Sequence, residues 1–381
     1  MNKLFYFLLF IVSLLFSSCQ KNSTPLEQPK ASLKDKLLEA IQNPPNYANP
    51  NYPTHFVTAL NTDNNPTDNP VTDKGAYLGR VLFYDTQLSI NNTISCASCH
   101  KQEDGFTDQN VFSIGFDGGL TGMHSMRLAN GRFYAPAFQF WDRRAANQEE
   151  QSVMPIQDAI EMGFDSTAGG LDALLLRLEN LDYYPPLFHE VYGTSEISVI
   201  RMEKAIAQFL RSIVSFESRF DEGYEFTFNP NLPGSGLDTD FPNFNESENR
   251  GKHLYVTPVH LGGAGCNACH QAPAFTLDGI VKSNGLDANE TRIFKSPSLS
   301  NVAVAGGYMH DGRLASLEEV IEHYNSGIKM GPALDPLLIA PNNTPLKLNL
   351  TDRDKQDLIA FLMTLTDNTC LSDPKYSDPF L

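Results

Sequence analysis

A mainly α fold, built twice over, is what this 381-residue chain encodes. Three observations carry that expectation. Several stretches place apolar residues at i, i+3, i+4 and i+7, the spacing of one helix face. No stretch sustains the apolar and polar alternation of a strand. The run Cys96-Ala97-Ser98-Cys99-His100 recurs in form as Cys266-Asn267-Ala268-Cys269-His270, each copy preceded by a helical pattern and followed by a phenylalanine, Phe106 or Phe275. A length of this order suits two ordinary domains.

Residues 1–19 open with Lys3, an apolar run from Leu4 to Phe16, and Ser17-Ser18-Cys19. That run falls short of the ~20 apolar residues a permanent span needs, so it reads as a signal peptide. Small residues before a cysteine resemble a bacterial lipobox, which would make Cys19 a lipid-modified N-terminus; ordinary cleavage beside an incidental cysteine is the alternative. Residues 20–70, rich in Asn and Pro, form a tether and lead-in with one short helix near Leu33 to Ile41.

Residues 71–235 make the first unit. Gly75 to Tyr84 is helical and ends shortly before Cys96, and Leu171 to Leu181 and Ser198 to Phe220 read as further helices. Residues 221–249, dotted with Pro, Gly, Asn and Asp, read as a connection. Residues 236–381 make the second unit, where Arg250 to Tyr255 repeats the helix ahead of Cys266. The last helix starts at the N-cap candidate Thr351 and buries Leu358, Ile359, Phe361, Leu362 and Leu365.

C-x-x-C-H is the attachment pattern of a c-type haem: two thiols three positions apart reach the two vinyl groups of one porphyrin, and the adjacent imidazole meets the iron. A zinc site or a redox C-x-x-C competes with a lone copy. Two copies behind an export signal, in a chain with only two other cysteines, Cys19 and Cys370, favour haem. The expectation is two cytochrome c-like domains, each holding one covalent haem c. Cys370 has no assigned role. A formal charge of −17 excludes nucleic acid as a partner, because phosphate binding needs a basic stripe, and would steer a basic electron donor.

From about residue 70 to 370 the sequence resembles the bacterial di-haem cytochrome c peroxidases and the related di-haem enzyme MauG. The resemblance rests on an ordered set of motifs: Leu78-Gly79-Arg80-Val81-Leu82-Phe83-Tyr84-Asp85, Phe140-Trp141-Asp142-Arg143-Arg144-Ala145, Glu150-Gln151, Pro155, Glu161-Met162-Gly163, Lys295-Ser296-Pro297-Ser298-Leu299 and Gly307-Tyr308-Met309-His310-Asp311-Gly312. It implies a peroxidatic N-terminal haem with proximal His100, and a C-terminal haem with proximal His270 that passes electrons to it. Donors deliver electrons singly whereas hydrogen peroxide takes two, so each haem stores one equivalent.

Peroxide reduction also needs a proton carried from one peroxide oxygen to the other so that water can leave. The resemblance gives that role to Glu161, ten residues after its polar neighbour Gln151, and makes Trp141, the sole tryptophan, an electron mediator between the haems. The sixth ligand of the second haem is a departure. Familiar peroxidases place a methionine where this chain has Tyr324, and MauG has a tyrosine there. Met309, Met330 and His323 remain alternatives to Tyr324. His124 matches either a distal ligand of the first haem or the family's calcium position between the domains, where the asparagine is absent and Ala305 and Gly307 replace Thr and Pro. His55, His189, His253 and His260 read as structural or surface residues.

The resemblance further implies hydrogen peroxide as substrate, a small cytochrome c or cupredoxin as donor, a homodimer, and a periplasmic or cell-envelope location with a lipid anchor at Cys19. A MauG-like oxidase of a protein or small molecule, and a plain di-haem electron carrier, are the competing readings.

Overall fold

A computed structural model describes residues 31–381 apart from Pro233 and Ala305. The signal peptide and lipobox readings, and the comparison at Ala305, lie outside the described residues. Twelve α-helices follow in chain order: α1 (Leu33–Gln42), α2 (Asp73–Tyr84), α3 (Cys96–Cys99), α4 (Gln148–Gln157), α5 (Gly170–Glu179), α6 (Tyr184–Tyr192), α7 (Val199–Ser212), α8 (Arg219–Thr227), α9 (Glu246–Val256), α10 (Leu317–Glu322), α11 (Asp352–Met363) and α12 (Asn368–Ser372). Extended pairing among the described residues is limited to isolated bridges, in keeping with the mainly α expectation.

Local chemistry sets the helix starts. Thr72, Ser198 and Ser218 each accept a main-chain N–H in the first turn of α2, α7 and α8. Thr351 and Asp354 form a reciprocal capping box at α11, as its sequence suggests. The helix expected over 198–220 instead stops at Ser212 and restarts at Arg219. Side chains between those points take the hydrogen bonds a helix would use. Asn130 exchanges bonds with the Ser215 backbone at 2.9 and 3.0 Å, and Asp367 accepts from the N–H groups of Phe216 and Glu217 at 3.0 and 3.1 Å.

Each half is built on a crossed helix pair. On α2, a side-chain carbon at Gly79 would overlap the Ala205 carbonyl of α7 and press on Phe209. On α9, the same carbon at Gly251 would overlap the Asp357 carbonyl of α11 and press on Phe361. The two contacts are counterparts, and only glycine lets the backbones come so close.

The first core gathers Leu78, Val81, Leu82, Ile206 and Phe209. The second gathers Phe220, Tyr224, Tyr255, Phe275, Leu358 and Phe361, so α8 and the aromatic residues after it contribute to the second core. A small cluster of Phe56, Phe133, Val214 and Ala274 sits apart from both. The C-terminal segment crosses over: Cys370 and Tyr376 pack into the first core, and Arg80 donates to the carbonyls of Ser377 and Lys375 at 2.6 and 3.1 Å.

Candidate haem sites and the residues between them

Each C-x-x-C-H run is one tight turn with its histidine oriented from behind. His100 Nδ1 lies 2.9 Å from the Phe106 carbonyl and His270 Nδ1 lies 2.9 Å from that of Pro297. Bonding Nδ1 fixes the tautomer and keeps Nε2 as the atom for a metal, the arrangement a metal-bound imidazole needs; Ser296 Oγ also comes within 3.3 Å of His270 Nε2. A serine repeats in both: Ser125 Oγ bonds the Cys99 carbonyl at 2.6 Å and approaches His100 Nδ1 at 3.1 Å, while Ser296 Oγ does the same to Cys269 and His270 at 2.8 and 3.1 Å. Phe106 and Phe275 share a left-handed backbone, φ 60° and 54°. That conformation costs a non-glycine residue energy, and both copies hold it inside a bridged loop, Lys101 to Thr107 and Gln271 to Thr276.

Burial raises all four thiols, Cys96 and Cys266 to about 12 and Cys269 to about 11. Among the described residues the one cluster with metal-ligand spacing is Asp287, His310 and Asp311. Arg313 already answers both of its carboxylates, at 2.8 Å from Asp287 and in contact with Asp311.

The C-terminal run opens on a cavity of about 850 Å³. Cys266, Cys269 and His270 line it together with Tyr324, Met309, Trp141 and many apolar residues. Two thiols, an imidazole and a further ligand around one large apolar cavity fit a covalent haem c. Tyr324 stands on a π-helical turn, His323–Gly327, that follows α10 directly. Burial pushes its phenol up to about 12, against a lowering influence from the nearby Asn284 side chain. Asn284 also donates to the Met309 sulfur at 3.1 Å, and its carbonyl lies 3.1 Å from His323 Nε2. Of the alternative ligands, only Met309 shares the cavity with Tyr324; Met330 is exposed, and neither it nor His323 lines the cavity.

Glu161 is held by a turn that its own motif builds. Pro155 sits inside the last turn of α4, where it has no N–H to give to the helix, and α4 ends two residues later at Gln157. Asp158 then accepts from the N–H groups of Ile160 and Glu161 at 2.8 and 3.0 Å, and Gly163 closes the turn at φ 82°. Behind it, Phe116 N–H bonds the Glu161 carbonyl at 3.1 Å. The carboxyl is half-buried; burial, and then the Asp158 charge, raise it to about 7 against the pull of Arg144. Its charge is one of the influences holding up the Cys96 and Cys99 thiols, after burial, so it stands close to the N-terminal attachment turn. Gln151, on α4, receives Gln148 Nε2 on its Oε1 at 2.7 Å, which leaves its amide N–H groups to donate elsewhere.

Trp141 lines the C-terminal cavity while its Nε1 donates to the His124 carbonyl at 2.8 Å, in a loop of the N-terminal half. His124 N–H in turn bonds the His310 carbonyl at 2.9 Å. The His124 ring is buried, with Nδ1 at 3.1 Å from the carbonyls of Asn110 and Val111 and Nε2 without a partner. His55 is fully buried between Asp221 and Glu225, at 3.1 and 2.9 Å. His253 pairs with Asp240 on the surface, His189 is exposed, and His260 is an exposed residue at the C-terminal cavity. Ser125, Asn284 and Arg127 escaped the sequence reading. The serine pair carried a signal, lying 25 and 26 residues after the two histidines.

A profile of the family "Di-haem cytochrome c peroxidase" matches residues 73–226. The methylamine utilization protein MauG of Methylorubrum extorquens is 33% identical over 318 residues, covering 79% of this chain and 80% of its own. The cytochrome c551 peroxidase of Nitrosomonas europaea is 30% identical over 264 residues, 65% of this chain and 71% of its own. Among solved structures, a MauG-like protein associated with microbial copper homeostasis is 31% identical with a TM-score of 0.64, covering 83% of this chain and 96% of that one.

Proposed function

This chain belongs to the di-haem cytochrome c peroxidase and MauG family of haem oxidoreductases, and from that membership we propose that it reduces hydrogen peroxide to water with electrons from a small exported redox protein. Cys96 and Cys99 would fasten the N-terminal haem c with His100 as proximal ligand, and Cys266, Cys269 and His270 the C-terminal one. The haems supply electron storage and a redox-active iron.

The observation that carries this reading is the Glu161 carboxyl, half-buried near Cys96 and Cys99 and poised at about 7. A group with that affinity takes a proton and returns it with little bias near neutral pH, which is the demand on an acid–base relay. Gln151 would offer an amide N–H to bound peroxide, and Trp141 would pass electrons from one half to the other. A plain electron carrier has no use for a proton relay. Glu161→Gln should leave both haem spectra intact and lower peroxide-dependent oxidation of a reduced cytochrome by ~100- to 10,000-fold; undiminished turnover would remove Glu161 from this role.

Tyr324 supports a second reading, a MauG-like oxidase acting on a protein or small molecule. As sixth ligand its phenolate would favour ferric iron and lower the potential of the C-terminal haem. Tyr324 would have to give up its phenol proton to serve there, and burial holds that proton tightly. Oxidation of such a substrate by peroxide without any cytochrome donor would favour this reading over the first.

The export signal, the lipid anchor at Cys19, a periplasmic or envelope location and a homodimer complete the proposal. Calcium near His124 is a further part of it, tested by whether chelation changes the haem spectra.

A further inference from the structure

Two buried cations in the wall of the C-terminal cavity have no acid to answer them. Lys295 is 6% exposed; its Nζ donates to the neutral Gln139 Oε1 at 2.8 Å and lies 4.3 Å from the centre of the Tyr134 ring. Arg127 donates one Nη2 bond to the Val302 carbonyl at 3.3 Å, rests 5.5 Å from the centre of the Tyr308 ring, and has a buried Nε with no partner. Both line the cavity. Three other buried cations do meet partners. Arg211 meets Glu149 at 2.6 and 2.8 Å, Arg132 meets Asp63 at 2.6 and 2.8 Å, and Lys252 meets two main-chain carbonyls at 2.6 Å each.

Burying a charge without a counter-charge is expensive. Burial alone drives Lys295 down to about 7 and is the first cause of the fall of Arg127 to about 10. An anion entering the cavity would reverse that cost. A haem fastened by its vinyl edge carries two carboxylates, its propionates, on the opposite edge.

We propose that Arg127 and Lys295 are the counter-ions of the C-terminal haem's propionates. This rests on the reading of the cavity as a haem c site and goes beyond it in assigning two residues outside the attachment motif. Positive charge held beside the propionates favours the added electron, so the pair opposes the pull of a Tyr324 phenolate toward ferric iron. Lys295 also gives its backbone N–H to the Trp141 carbonyl at 2.7 Å, which ties the position of one counter-ion to the tryptophan.

The test is a spectroelectrochemical titration of purified holoprotein, with covalent haem counted by stain. Lys295→Gln and Arg127→Gln should each shift the midpoint of the C-terminal haem to more negative values and leave that of the N-terminal haem in place, while Lys295→Arg stays close to the parent. An unmoved C-terminal midpoint, equal shifts at both haems, or a Lys295→Arg variant that falls as far as Lys295→Gln would overturn the pairing. A single covalent haem, at His100, would overturn the haem reading beneath it. The parent protein gives an independent readout: infrared spectra with carbon-13 propionates should show the C-terminal pair still ionised at the pH, about 4 to 5, where a free carboxyl takes its proton. Protonation in that ordinary range contradicts the proposal.

Discussion

Glu161 makes the pH profile diagnostic. A relay that first accepts a proton must start as carboxylate, so activity should be full above its proton affinity and lost below it. Because burial and Asp158 raise that affinity to about 7, the acid limb of kcat/KM should fall near pH 7 rather than near 4.5. Asp158→Asn keeps an oxygen for the turn and removes the charge, so the limb should move to lower pH. Arg144→Gln should move it higher. Limbs that ignore both changes would place the titrating group elsewhere. At the second haem, Tyr324→Met should raise the midpoint and add the absorption signature of methionine ligation; finding that signature already in the parent would give the site to Met309. The attachment residues were legible because their spacing is the chemistry. Asn284 was not, since its link to Tyr324, Met309 and His323 arises from segments brought together only by folding.

At the scale of elements, the crossed pairs α2 with α7 and α9 with α11 carry each half. Gly79→Ala and Gly251→Ala should each cost about 1–3 kcal/mol or more, because a new carbon must displace a backbone carbonyl rather than a flexible side chain. Thermal denaturation followed at the haem bands checks this; wild-type melting in both would mean that the helices separate freely. Apolar periodicity was enough to place α2, α5 and α11. It overran the end of α7, where apolar residues continue through Ile213, Val214 and Phe216 but Asn130 and Asp367 claim the backbone. A buried side-chain acceptor from a distant part of the sequence leaves no periodic trace.

Across the whole molecule, two segments lace the halves together. The segment before α2 reaches α8 through His55, and the residues after α12 return to α2 through Arg80. Deletion of residues 375–381 should therefore destabilise the N-terminal half, seen as earlier melting of the haem at His100, although that haem lies far away in sequence. No described helix is long and apolar enough to cross a membrane. The charge of −17 predicts that electron delivery from a basic donor slows as ionic strength rises; a salt-independent rate would rule out steering. The central claim is a division of labour between two haems, one open beside Glu161 and the other closed by a side chain. The measurement that tests it most directly is electron paramagnetic resonance of the half-reduced protein, with covalent haem counted on the same sample. Two haems are predicted, the one at His100 able to take a small exogenous ligand and the one at His270 unable to. One haem, or two that are both closed by side chains in every redox state, would contradict the account.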